Sequence, residues 1–86
     1  MRIYEGEVRM IGIEIENTLD NNFVIETADY VITDKNKNII EQGFPTIDGR
    51  RIVILFSGTN KGVYNVNFKY HIGPEILKAR ILVEVI

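Results

Sequence analysis

Residues 61–72 alternate apolar and polar positions without a break, opening on a turn at Gly62 and running into a second at Gly73-Pro74. A period of two is the mark of an antiparallel strand with one face in a core and one in water. Residues 76–86 begin the same alternation, so the two segments are predicted to form a hairpin. Tyr64, Val66, Phe68, Tyr70 and Ile72 fall on one face and read as core. Asn65, Asn67, Lys69 and His71 fall on the other, continued on the next strand by Lys78, Arg80 and Leu82.

The same reading divides the rest of the chain into four further strands. Residues 7–16 set Val8, Met10 (or Ile11), Ile13 and Ile15 against Glu7, Arg9, Glu14 and Glu16, and Gly12 within them suggests a bulge or a close neighbouring backbone. Residues 17–22, rich in Asn and Asp, read as a loop because those side chains bond back to local backbone. Residues 23–34 follow as a long segment best formed over 27–33, with Tyr30 assigned to the core. A turn at 34–38 leads to a short strand at 39–43, which Pro45 stops or pushes to a sheet edge. Asp48-Gly49 is a tight turn. The nearly continuous apolar run 51–56 predicts a strand buried on both sides or covered by a neighbour. Tyr4 and Phe44 are left without a side.

Turn signals recur every 8 to 12 residues, and no segment keeps helical spacing for three turns. Residues 75–80 come nearest to a helix, but they lack an N-cap and run straight into Ile81-Leu82-Val83-Glu84-Val85. The expectation is an all-β antiparallel sandwich of about six to seven strands. At 86 residues it is one domain, 1–86, and a domain of this size buries only about 60 to 65% of the surface its unfolded chain exposes. Cysteine is absent, so the core must hold the fold with no disulfide and no thiolate chemistry.

A net charge of −2 argues against nucleic acid, whose ligands concentrate Lys and Arg to displace counterions. Glu5 and Glu7 stand where a signal peptide needs apolar residues, and no run approaches the roughly 20 apolar residues of a membrane span. Synthesis and folding in the cytoplasm, with no membrane partner, are the expectation.

Candidate chemistry is sparse. Ser57 and His71 are the one serine-histidine pair, but the strand map sets them on the order of 25 to 30 Å apart, where nucleophile and base need about 3 Å. Asp20, Asp29, Asp34 and Asp48 sit in or beside turns, yet no loop supplies acids at the alternating positions that wrap a calcium ion. Residues 58–62 lack the Gly-Lys-Ser/Thr ending and the following helix of a phosphate loop. No catalytic residue, metal or cofactor is therefore expected, and no enzymatic activity. What remains is the outward face of the terminal hairpin. Asn67, Lys69, Lys78 and Arg80 make it locally basic on an acidic protein, with Leu82 as an apolar centre. It reads either as a solvated sheet face or as a docking face for an acidic protein surface or a second copy.

Gly62-Val63-Tyr64-Asn65-Val66 resembles the tyrosine corner of immunoglobulin-like folds, in which a Tyr near the start of the sixth strand returns its hydroxyl to upstream backbone. Val66 stands where antibody domains carry Cys, so the resemblance is to disulfide-free relatives. With Ala28-Asp29-Tyr30-Val31-Ile32-Thr33-Asp34, Glu41-Gln42-Gly43, Ile47-Asp48-Gly49 and Ile72-Gly73-Pro74-Glu75, the layout is similar to small Ig-like proteins encoded among phage and prophage virion genes. That resemblance implies a non-enzymatic structural or adhesion module acting through protein contacts after assembly into a virion. A bacterial cell-surface or carbohydrate-binding Ig-like domain is the alternative, and a small enzyme or inhibitor of another type is a third reading.

Overall fold

A computed structural model describes residues 1–16 and 23–86, so the loop expected at 17–22 lies outside the described residues. The described chain forms β1 (Arg2–Ile3), β2 (Val8–Glu14), β3 (Thr27–Asp34), β4 (Ile39–Gly43), β5 (Thr46–Asp48), β6 (Arg51–Ser57), β7 (Gly62–Ile72) and β8 (Glu75–Val85). The six strands expected from alternation are joined by β1 and β5, two and three residues long. Segments that short carry no period of their own. Each is a strand because a longer neighbour supplies its hydrogen bonds.

The strands make two sheets, five-stranded in the order β1-β8-β7-β3-β4 and three-stranded in the order β2-β6-β5. The fold is all-β, with the apolar faces of the two sheets meeting in one core. The long hairpin is its spine. β7 and β8 pair antiparallel from Gly62↔Val85 to Ile72↔Glu75 with no shift of register, and β3 pairs along the other side of β7 from Thr27↔His71 to Asp34↔Tyr64. Val66, Phe68 and Tyr70 point inward and are buried, against Ile52, Ile54 and Phe56 of β6. Tyr64 and Ile72, at the two ends of the row, are half-buried.

Both tight turns follow from their residues. Gly73 takes φ 55° between the paired Ile72 and Glu75, and Gly49 takes φ 61° between Asp48 and Arg51. A positive φ at the first of two loop residues, which glycine alone adopts freely, matches the right-handed twist of the strands. In the 34–38 turn, the Asp34 carboxylate accepts hydrogen bonds from the backbone N–H groups of Asn36 (2.8 Å) and Asn38 (2.9 Å) and from the Asn38 side-chain amide (3.1 Å). The bonds from Asn38, backbone first, hold this carboxyl below the ordinary aspartate range. The turn thus keeps a charged acceptor at its centre.

Two sequence expectations are corrected. The first concerns β2, where Ile11, Ile13 and Ile15 face the core while Val8 and Met10 face solvent, 59% and 65% exposed. A bulge at Gly12 would have allowed Val8 and Ile13 to face the same way. Instead the register runs unbroken from Val8↔Ser57 to Glu14↔Arg51, which fixes even and odd positions on opposite faces. Gly12 answers the other need foreseen for it, a close backbone. A Cβ there would sit 2.5 Å from Val53 Cγ1 and 2.6 Å from the Ile52 carbonyl oxygen.

The second correction concerns β6. It is central to its sheet, but nothing among the described residues covers its outer face: Ile52, Ile54 and Phe56 are buried while Leu55 is 62% exposed. A run of apolar residues on both parities predicts burial on both sides or cover by a neighbour. It arises here from an apolar face turned to water.

The corner is present as a bond. The Tyr64 hydroxyl donates to the Asn60 carbonyl at 2.8 Å, and its ring meets Phe56 edge-on at 5.8 Å between centroids. It ties the loop before β7 to the start of that strand.

Two substitutions test this account. Gly12→Ala should lower stability by about 1–3 kcal/mol, the usual cost of overpacking, because one of the two atoms in the way belongs to backbone. The opposing entropic gain of about 0.4–1 kcal/mol is smaller. Denaturant melts showing equal or greater stability would remove the close-approach explanation. Tyr64→Phe deletes one hydroxyl from a solvent-accessible bond and should cost about 0.5–1.5 kcal/mol. At about 4–8 °C per kcal/mol for a domain of this size, a thermal melt resolves it; an unchanged melting temperature would show that the corner bond contributes nothing.

Candidate functional site

β7 and β8 bring the five residues singled out from the sequence onto one face. Because their register is unbroken, Asn67 lies opposite Arg80, Lys69 opposite Lys78 and Asn65 opposite Leu82. β3 extends the rows, with Val31 beside Asn67 and Asp29 beside Lys69. All these side chains point away from the core. Asp29, Val31, Asn67, Lys69, Lys78 and Arg80 line a shallow depression of about 640 Å³. Leu82 lies just beyond it, 56% exposed.

One side chain organises the polar part. Asn67 is half-buried between its neighbours, and its amide nitrogen donates to the carbonyl oxygens of Val31 (3.2 Å) and Asn65 (3.4 Å). With the nitrogen so engaged, its side-chain oxygen is left to accept from Arg80 Nε at 3.0 Å. The guanidinium is therefore steered across the face, with its terminal nitrogens free of that bond. Lys69 approaches Asp29 at 3.8 Å with both side chains nearly half exposed, a pairing worth little in water. Lys78 has no hydrogen bond or ion pair among the described residues. Three cations against one carboxylate leave this region positive on a chain of net charge −2. Lys69 and Lys78 face each other directly, a like-charge pair that disfavours the sheet slightly by itself and is relieved by any anion above it.

The other sequence candidates are dispersed. Ser57 ends β6 and pairs with Val8 in the three-stranded sheet. His71 lies at the far end of β7, outward between Thr27 and Ile76. Asp29 lies within β3, Asp34 ends that strand at the turn to β4, Asp48 ends β5, and Asp20 falls outside the described residues. Among the described residues no group of three or more His, Asp or Glu could hold a metal ion, and no helix is long and apolar enough to cross a membrane. Tyr30 is half-buried against the core and donates to Glu41 at 2.7 Å. That bond, then burial, then the Glu41 charge raise its pKa, so it serves as a neutral clasp between β3 and β4.

Sequence reasoning missed a second surface. Met10 and Leu55 are cross-strand neighbours on the outer face of the three-stranded sheet, with Val8 beside them and all three more than half exposed. A signal existed: Val8 and Met10 share a parity that Ile11, Ile13 and Ile15 do not. Phe44, on the link between the sheets, is 88% exposed.

Comparison with protein-family models, with curated proteins and with solved structures finds no match for this chain. The geometry of the face itself therefore carries the functional argument.

That geometry makes Asn67 a positioning residue. Asn67→Leu keeps the volume and removes the acceptor, so Arg80 should lose its fixed orientation. The Arg80 Nε–H resonance should shift toward its free-solvent position and exchange faster, with a stability loss of about 0.5–1.5 kcal/mol for the side-chain hydrogen bonds removed. An unmoved Nε–H signal would mean that Asn67 does not orient Arg80.

Proposed function

We propose that this chain is a non-enzymatic, Ig-like protein-binding module of the virion structural or adhesion type, docking an acidic protein surface on the outward face of β7 and β8. The observation that carries the reading is the preset cationic face: Lys69, Lys78 and Arg80 in adjoining positions, Arg80 held by Asn67. The face is supported by a hairpin of two eleven-residue strands in unbroken register, which is the rigid scaffold an interaction surface needs. Charges placed this way speed encounter and set orientation more than they add affinity.

Two features favour the Ig-like assignment. The order β2-β6-β5 against β8-β7-β3-β4 follows B-E-D against G-F-C-C′ of variable-type Ig sandwiches. The hydroxyl of Tyr64, near the start of the strand corresponding to F, returns to the backbone of Asn60 as a tyrosine corner requires. The virion context rests on the sequence resemblance, and the neighbouring genes are its simplest check: capsid, portal or tail genes agree with it, a sorting-anchored surface protein does not.

The direct test is charge reversal. Lys78 and Arg80 are exposed, so Lys78→Glu with Arg80→Glu should leave folding nearly intact, within about 0.5 kcal/mol for each change. Expressed from its own gene neighbourhood, the wild-type chain should sediment with purified particles, and the double variant should be depleted from them several-fold at moderate salt. Equal incorporation of the two proteins, or a wild-type chain that never joins a particle or an oligomer, would leave this face merely solvated.

A further inference from the structure

Along most of its outer edge β8 has no strand beside it among the described residues. β1 runs parallel to β8 and pairs only with its end, Arg2↔Glu84 and Ile3↔Val85. On that side the Met1 ammonium donates to the Leu82 carbonyl, Glu84 N–H donates to the Met1 carbonyl, and Ile86 N–H donates to the Ile3 carbonyl. Even-numbered residues of β8 therefore turn their backbone groups away from β7. The register with β7 never shifts, so the backbone groups of Ile76, Lys78 and Arg80 point the same way, where no strand of the described chain pairs with them. Residues 76–81 leave an unpaired edge about 20 Å long.

Burial along the inner row of β8 records the same vacancy. Val83 and Val85, beside β1, are 0% and 2% exposed, whereas Leu77, Ala79 and Ile81, with no strand beside them, are only partly buried against the core. β1 itself shows what closes such a gap. It turns Ile3 inward, 1% exposed, and turns Arg2 outward onto Glu84 at 2.7 Å. An apolar residue covers the core while a residue of opposite charge covers the outer row.

We infer that residues 76–81 of β8 accept an extended segment of a partner protein as an added sheet strand, and that this segment alternates acidic and apolar residues. Its carboxylates face Lys78 and Arg80 on the outer side. Its apolar side chains lie along Leu77, Ala79 and Ile81, and its backbone takes the open hydrogen bonds. A second copy of this chain is the poorer occupant. Every antiparallel, same-face register that pairs this stretch with itself over its length sets Lys78 or Arg80 against Lys78 or Arg80 of the other copy. Such like-charge pairs are how exposed edges are kept from joining one another. The inference rests on reading the domain as a protein-binding module, and narrows the mode of binding from a face to an edge.

The test uses the full chain, tagged at its C-terminus so that the tag does not displace the Met1 bond to Leu82, and two capped hexapeptides of identical composition. One alternates glutamate and valine; the other has three glutamates followed by three valines. The alternating peptide should bind at least tenfold more tightly and slow amide exchange at Lys78 and Arg80, with no such slowing in the Lys78→Glu, Arg80→Glu variant, whose folding is checked by its melt. If both peptides bind alike without slowing those amides, strand addition is overturned and docking on the face survives. If neither binds, strand addition is also overturned, and the particle experiment decides separately whether the module binds protein at all. Concentration-dependent dimerisation that slows the same amides without peptide would overturn the choice of occupant in favour of a second copy.

Discussion

Val66 and Phe68, 0% and 1% exposed at the middle of β7, mark the constraint under which this protein folds. With 86 residues and no cysteine, it has one layer of apolar contact between two sheets to set against the conformational entropy of the whole chain. That layer exists only if β7 and β8 keep one register over their full length. A slip of a single residue would turn Val66, Phe68 and Tyr70 to water and bring Asn67 and Lys69 into the core. The turn at Gly73-Pro74 sets that register locally, and the Tyr64 hydroxyl anchors the other end of β7 to its own loop.

The same register creates the surface. Locking Phe68 inward forces Asn67 and Lys69 outward, and pairing them with Arg80 and Lys78 concentrates charge that composition spreads over the chain. The domain as a whole is acidic, so this face is electropositive through placement and not through number. Asn67 links the two properties, since its amide is held by backbone carbonyls of the sheet while its oxygen holds Arg80.

Sheet edges are where the small size shows. β1 contributes two residues, enough to seal Val83 and Val85 and too few to seal Leu77, Ala79 and Ile81. The outer face of the three-stranded sheet likewise leaves Met10 and Leu55 in water. A larger domain would cover such places with a further strand or helix. Among the described residues this one leaves them open.

Alternation made the terminal hairpin legible in the sequence, down to the facing of Val66, Phe68, Lys69, Lys78 and Arg80, because a period of two needs no tertiary information to separate two faces. The turns were legible for an equally local reason, the positive φ that Gly49 and Gly73 adopt without strain. The Tyr64 bond was legible because its partners lie four residues apart, at the start of β7 and in the loop before it. Which face of β2 turns inward was not: Val8 and Ile11 are equally apolar, and only pairing with β6 in a fixed register selects the parity that meets the other sheet. The outer face of β6 was misread because hydrophobicity reports affinity for a core and cannot report whether a cover exists. β1 and the open edge of β8 are decided wholly by the tertiary structure, since what lies beside β8 comes from the opposite end of the sequence.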